Sequence, residues 1–260
     1  MGILNVTPDS FSDGRLYFNR ENAVAQGKQL EQDGADIIDI GGESTRPGSQ
    51  AISEEEEMER VIPVIESLVP VLSVPISVDT YRAKVARRAL EAGAQIVNDI
   101  SGFRFDDDMP LAVKKSGAGV VLMHSRGSRE TLHRQSPMVE PIREVMEGLA
   151  ASAGRAREAG IAINAIAIDP GIGFGKTANE SLRVLKDLMV FSKMEYPLLV
   201  GTSRKSFIRS IFTAVSTEAN DWGTAATNMV AIMNGAHIIR VHDVRTARVV
   251  ADMTDRILVA

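Results

Sequence analysis

Short apolar runs rich in Ile and Val recur along the chain, and each ends in polar residues able to do chemistry. The runs close at Asn5, at Gly41-Gly42-Glu43, at Asp79, at Asn98-Asp99, at His124, at Asp169, at Thr202-Ser203-Arg204-Lys205 and at Arg240-Val241-His242. Near-continuous hydrophobic runs of this kind predict parallel strands buried on both faces. Between them lie stretches with helical periodicity, many stopped by a glycine just ahead of the next run: Gly34, Gly93, Gly117, Gly160 and Gly235. Glycine accepts the left-handed conformation that closes a helix, so the pattern reads as βα units of roughly 30 residues each. Alternating βα order fits a doubly wound sheet as well as a closed one. Eight units predict closure into a single (β/α)8 TIM barrel, an α/β fold occupying residues 1–260 as one domain, with the carboxyl ends of the strands meeting at one mouth.

Alternation along a strand tells which polar residues share a face. Asp79 falls on the face of Ser77, Asn98 on that of Ile96, Asp169 on that of Ala167, and Arg240 and His242 on that of Ile238. Two carboxylates, an amide and a guanidinium are thereby expected in one pocket. Each of these residues also makes a good helix cap, but several buried charges together must find partners. An Asp with an Asn suits a planar heterocycle bearing an amino-pyrimidinone edge, since the carboxylate takes two N–H donors and the amide complements the rest. Arg240 can stack on such a ring and Lys205 can donate to a ring carbonyl.

Composition narrows this picture little. The 260 residues and 44% hydrophobic content suit one barrel with a sizeable core. A net charge of −5 with Lys and Arg spread along the chain argues against a nucleic-acid partner but leaves small anions open. The absence of cysteine excludes disulfides, thiolate metal sites and a Cys nucleophile. Residues 222–239, the longest uncharged stretch, include Thr, Asn, His and two glycines and fail as a membrane span, so the expectation is a soluble cytoplasmic protein.

Four local features bear on function. The acidic run at 54–57 follows Ser53 with capping-box spacing to Glu56, which reads as a helix start and not as a metal site. Asp106-Asp107-Asp108 before Met109-Pro110 reads likewise as a cap. The segment 171–177 resembles a phosphate loop but lacks a glycine where Pro170 and Lys176 stand, leaving a tight turn that sets Phe174 beside the pocket. Residues 202–206 follow the seventh run and are read as opening a helix whose N–H groups hold an anion. The polar stretch 126–137 has no assigned role.

The motifs themselves resemble one family. Residues 1–14, MGILNVTPDSFSDG, and residues 38–48, IDIGGESTRPG, resemble the two opening signatures of the dihydropteroate synthases. Ser77-Val78-Asp79-Thr80, Val97-Asn98-Asp99-Ile100-Ser101-Gly102, the run from Asp169 to Lys176, Gly201-Thr202-Ser203-Arg204-Lys205-Ser206 and Arg240-Val241-His242-Asp243 continue in the family's order. The resemblance implies a transferase that condenses 6-hydroxymethyl-7,8-dihydropterin diphosphate with 4-aminobenzoate, releasing diphosphate. It also implies a homodimer formed through late helices.

Carried over residue by residue, the resemblance gives Asp79, Asn98, Asp169 and Lys205 to the pterin, with Met123 and Phe174 lining its pocket and Arg240 stacked on it. Asn5 would bind Mg2+, and Thr45, Arg46, Arg240 and His242, with Asn5, would hold the diphosphate. Ser203 and Lys205 would receive the 4-aminobenzoate carboxylate, with Phe11 and Pro47 walling its ring. Asp79, Lys205, Arg240 and His242 stand as the catalytic set. Diphosphate leaves once neutralised, and the amine attacks the pterin methylene cation, so no strong nucleophile is required. The loops at 13–18 and 46–53 are expected to close and exclude water. His124 and Asp99 are read as structural.

The chain departs from the pattern in three places. It begins inside the first motif, where relatives carry a preceding hairpin, which implies a less covered barrel floor. Arg15 follows Gly14 in place of a second glycine, and Ser125 follows His124 where Met is common. Three other readings compete. A methyltetrahydrofolate:corrinoid methyltransferase would lack the Phe11-Ser12-Asp13 and Ser203-Arg204-Lys205 elements. A non-catalytic pterin-binding scaffold would have shed Asn5, Arg46, Arg240 and His242. A barrel acting on a sugar phosphate would bind no pterin.

Overall fold

The computed structural model describes residues 1–7, 16–46, 48–211 and 217–260. Eight strands alternate with nine helices among them, in the order β1 (Gly2–Asn5), α1 (Leu16–Gln32), β2 (Ile38–Gly41), α2 (Glu54–Leu68), β3 (Ile76–Asp79), α3 (Ala83–Glu91), β4 (Ile96–Asp99), α4 (Met109–Ser116) and β5 (Gly119–Met123). The chain continues with α5 (Pro141–Glu158), β6 (Ile166–Asp169), α6 (Ala178–Lys186), β7 (Leu199–Val200), α7 (Ser206–Ile211), α8 (Thr217–Met233), β8 (Ile238–Ile239) and α9 (Val244–Leu258). All pairings are parallel: β1 to β6 form one sheet in sequence order and β7 pairs with β8. Single bridges close the ring. Ile168 pairs with Leu198, and Gly2 pairs with Val241, with Ile3 donating to the Val241 carbonyl at 2.9 Å. The fold is therefore the expected TIM barrel.

The alternation of the strands divides two cores. Ile38, Ile40, Val78, Val97, Leu122 and Ile168 point outward into the layer shared with the helices, and all are fully buried. Each such side chain contributes about 1.5–3 kcal/mol by leaving water. The inward positions Met1, Ile37, Ile96, Val121, Ala167, Leu199 and Ile238 fill the barrel's interior, so the lumen is packed and polar chemistry is confined to its upper end. All five predicted stop glycines lie at positive φ. No described helix is long and apolar enough to cross a membrane.

Two predicted caps differ in detail. Ser53 accepts from the Glu56 amide at 3.1 Å, but Glu56 turns to Arg60 and leaves the capping box half made. Asp108 stands at the N-cap of α4 without a side-chain bond. Asp106 does the capping instead, for another helix: its Oδ2 takes the Ala83 amide at the start of α3 at 2.7 Å. Three adjacent aspartates look equivalent in sequence, and only the packing of α3 beside that loop selects one.

Candidate active site

The register places the first group of polar residues on one row. Asn5 pairs with Gly41, Gly41 with Asp79, and Asp79 with Asn98, all at the upper ends of their strands. Gly41 lies directly beside Asp79: a Cβ there would make ordinary contact with it, 3.4 Å from its Cβ and 3.6 Å from its Oδ2. Arg240, just past β8, crosses the lumen to this row. Its Nη2 donates to Asp79 Oδ2 and its Nε to Asp39 Oδ2, each at 2.6 Å. Burial works against the Arg240 cation, but Asp39 and Asp79 outweigh it and hold its pKa above the ordinary value. Burial lifts Asp79 to about 7, with Arg240 pulling it down and Asp39 pushing it further up.

Asp39 was not foreseen as a site residue. It is fully buried one row below Asp79, and its Oδ2 also takes the Asn98 amide at 3.0 Å. One carboxylate thus orients both the guanidinium and the amide expected to meet a ligand. Its other oxygen, Oδ1, and the hydroxyl of its register partner Ser77 have no hydrogen-bond partner among the described residues. The available signal was a charge inside the run Ile37-Ile38-Asp39-Ile40, because an ionised group buried in a strand must have a partner.

The second group faces this row from β5, β6 and β7. Asp169, at the end of β6, is buried and its Oδ1 accepts the Gly171 amide at 2.7 Å. Burial raises its pKa, opposed first by Lys205. Lys205 donates to the Ile172 carbonyl and holds its Nζ 4.5 Å above the Phe174 ring, and burial lowers it to about 8. Met123 and Phe174 belong to one apolar cluster. The glycine-rich turn at 171–175 is the expected tight turn. Lys176, which sequence reading left aside, pins it by donating to the carbonyls of Gly171, Phe174 and His124.

A third group lies over β7 and β8. Ser203 Oγ stands 3.0 Å from His242 Nδ1 and accepts the His242 amide at 3.2 Å. Burial lowers His242 to about 3, helped by Arg240, Arg204, Arg46 and Lys205, so the imidazole is neutral amid four cations. Such a surplus of positive charge calls for an anion. The expected helix opening at Ser203 is shifted, because α7 starts only at Ser206. The amides of Arg204 and Lys205 are already taken by Thr224 Oγ1 and the Thr202 carbonyl. Those two amides are thus closed to a ligand, while side-chain chemistry at Ser203 and Lys205 remains.

Thr45 and Arg46 lie in the loop after β2, with the Arg46 guanidinium in no ion pair among the described residues. Phe11, Pro47 and the loop part at 13–15 lie outside the described residues. His124 is buried and its Nδ1 faces Lys176 Nζ at 3.0 Å. Burial, then Lys176, depresses it to about 2, which leaves it no acid–base work near neutral pH. Asp99 accepts the amides of Ser101 and Phe103 and serves the backbone. Ser125 binds the Ile100 carbonyl and receives Arg104, so the hydroxyl has local work. Among the described residues no group of three or more His, Cys, Asp or Glu could hold a metal ion. Asn5 offers a single oxygen, which fits Mg2+ because that ion keeps most of its waters and takes phosphate oxygens from a substrate.

The sequence and the structure were compared with those of known proteins. The family described as "Pterin binding enzyme" matches residues 1–242. The dihydropteroate synthase of Bacillus subtilis strain 168 is 46% identical over 258 residues, covering 99% of this chain and 88% of that protein. A solved dihydropteroate synthase from Clostridium difficile, in the presence of pteroic acid, superposes with a TM-score of 0.93 at 42% identity, over 99% of this chain and 95% of the other. That of Xanthomonas albilineans with 4-aminobenzoic acid gives a TM-score of 0.93 at 39% identity, over 100% and 93%.

Proposed function

The chain belongs to the pterin-binding enzyme family, and from that premise we propose how its residues divide the work of a dihydropteroate synthase. The activity is that of a transferase joining a pterin methyl diphosphate to 4-aminobenzoate in folate synthesis. The observation that carries the residue assignment is the convergence of Asp79, Asn98, Asp169 and Lys205 on one mouth, with Arg240 crossing it on two carboxylates. Asp169 and Asn98 grip the pterin edge, Met123 and Phe174 line its face, and Arg240 stacks on it. Thr45, Arg46 and the cation field around His242 receive the diphosphate. Ser203 and Lys205 receive the 4-aminobenzoate carboxylate. Asn5 would hold Mg2+, whose charge would help neutralise the departing diphosphate.

The bond from the pterin methylene carbon to oxygen breaks and its electron pair leaves with the diphosphate. Asp79 and Asp169 stabilise the methylene cation left behind. The amine nitrogen of 4-aminobenzoate then forms the new C–N bond and gives up a proton. That proton passes to the released diphosphate or to water, and His242, kept neutral by burial and four cations, serves that side as a hydrogen-bonding group and not as a base. Mixed with both substrates and Mg2+, the protein is expected to yield dihydropteroate and diphosphate in equal amounts, read by chromatography and a diphosphate assay. Pterin binding without product would leave the scaffold reading in its place.

A homodimer belongs to the same reading. α8 and α9 pack on each other and expose Trp222, Met229, Met233, Val249, Met253 and Ile257, a broad apolar area of the kind that a two-fold contact covers with its own copy. Light scattering should give twice the 28.1 kDa of the chain. Trp222→Glu with Met253→Glu should give the single mass, and a wild-type monomer at micromolar concentration would refute the assignment.

A further inference from the structure

The polar stretch 126–137 runs from β5 toward α5, yet its side chains fasten a different loop. Arg129 Nε donates to Glu43 Oε1 at 2.6 Å, and its Nη2 donates to the Ser44 carbonyl and to Ser49 Oγ, both at 3.1 Å. Ser49 Oγ in turn bonds the Arg46 carbonyl at 2.8 Å. His133 Nε2 stands 2.7 Å from the Thr45 carbonyl, and its ring lies 5.9 Å from that of Phe174. The carbonyls of three consecutive residues, Ser44, Thr45 and Arg46, are thus held from across the mouth.

The anchor is stiff. The Glu43 side chain is 4% exposed and that of Arg129 12%, and Glu43 is also held by Arg82 and by the Tyr81 hydroxyl. Arg82 pairs onward with buried Glu57 of α2. An exposed ion pair contributes little, but a part-buried arginine with three acceptors fixes geometry. The main chain at 44–46 is clamped while the Arg46 guanidinium has no ion pair among the described residues.

We propose that Arg129 is a positioning residue: through Glu43, Ser44 and Ser49, with His133 on Thr45, it presets the loop so that the Thr45 and Arg46 side chains meet the diphosphate of the pterin substrate. The inference rests on the assignment of Thr45 and Arg46 to that diphosphate. Its test is calorimetric binding of two probes in Mg2+, 6-hydroxymethylpterin diphosphate and 6-hydroxymethylpterin without the diphosphate, to wild type, Arg46→Ala, Arg129→Ala and Arg129→Lys. Arg129→Ala should weaken the diphosphate probe on the order of tenfold and leave the other nearly unchanged, with Arg129→Lys in between. In turnover, KM should rise for the pterin diphosphate and stay level for 4-aminobenzoate. Equal loss of both probes, or loss of neither, overturns the proposal. If Arg46→Ala also fails to discriminate, the diphosphate assignment falls and the proposal with it, whereas discrimination by Arg46→Ala alone sinks only the proposal. Should Arg129→Ala not fold, Ser49→Ala, which keeps the bond to Glu43, is read in its place with the same sign expected.

Discussion

Asp169→Ala is expected to abolish pterin binding, with affinity for the pterin diphosphate falling by about a thousandfold or more. The carboxylate is buried at the end of β6, and one oxygen is committed to the Gly171 amide at 2.7 Å. The other takes no bond from any described residue and is the oxygen available to a ligand. Hydrogen bonds to a charged group are worth about 1.5–3 kcal/mol each, and an amino-pyrimidinone edge offers two donors, so roughly 3–6 kcal/mol is at stake. The loss extends to Lys205, whose pKa of about 8 is held up against burial chiefly by Asp169. Without that carboxylate it falls further and the ammonium is lost near neutral pH. Unfolding should not be the cause. Burial raises the folded pKa of Asp169, so the folded state binds more protons than the unfolded one, and the ionised side chain subtracts from stability as pH rises through that window. Removing it relieves that cost and leaves the Gly171 amide without its acceptor, about 1–3 kcal/mol, and Lys205 without a counter-charge. Fluorescence titration with the pterin and a melting curve separate the two effects. Near-normal affinity would mean that the pocket has been assigned to the wrong residues.

Asp169, Asp79 and Asn98 were legible because each ends an apolar run, and the two-residue period of a strand says which side it faces. The predicted companions Ser77, Ile96, Ala167 and Ile238 do lie on the inner side, where Ile96, Ala167 and Ile238 pack together. Asp39 was not legible by that rule because it sits inside its run, and its partner Arg240 is 201 residues away. Only the closing of the ring between β8 and β1 brings them together. The stretch 126–137 failed for a related reason: it has no periodicity, and its meaning lies in contacts with residues 80 or more positions earlier. The segment 202–206 was legible as a helix opening, but only its last residue, Ser206, enters α7, and the turn before it was not legible. Arg204 there adopts a left-handed conformation, at φ 57°, which an α-helix does not accommodate. What sequence conveys well is periodic burial; what it conveys poorly is which of several polar groups a distant element selects.

Arg240→Met should destabilise the protein by about 3–5 kcal/mol at alkaline pH, where both carboxylates are forced to ionise, and reduce turnover by about a thousandfold. Methionine keeps much of the length but removes the one cation standing between Asp39 and Asp79. Two carboxylates on adjacent strands then face each other with no counter-charge, and Asp39 already has one oxygen without a partner. Like charges so placed cannot both stay ionised, so the pair retains a proton to higher pH. In the wild type, burial has already lifted Asp79 from 3.8 to about 7 despite Arg240, and the variant lifts it further. The folded pKa then lies above the unfolded one. Between those two values the folded state binds more protons, and stability falls as pH rises. Denaturant unfolding at about pH 5, where both proteins keep the proton, should therefore show a small deficit relative to wild type, and the deficit should open above the wild-type value of about 7, so that it is larger at about pH 8 and still growing toward the variant's folded pKa. Turnover falls at both, because the diphosphate and the pterin face lose the same guanidinium. An equal deficit at the two pH values would show that Arg240 supports the barrel by packing alone, and the carboxylate bridge would then have no part in holding the site together.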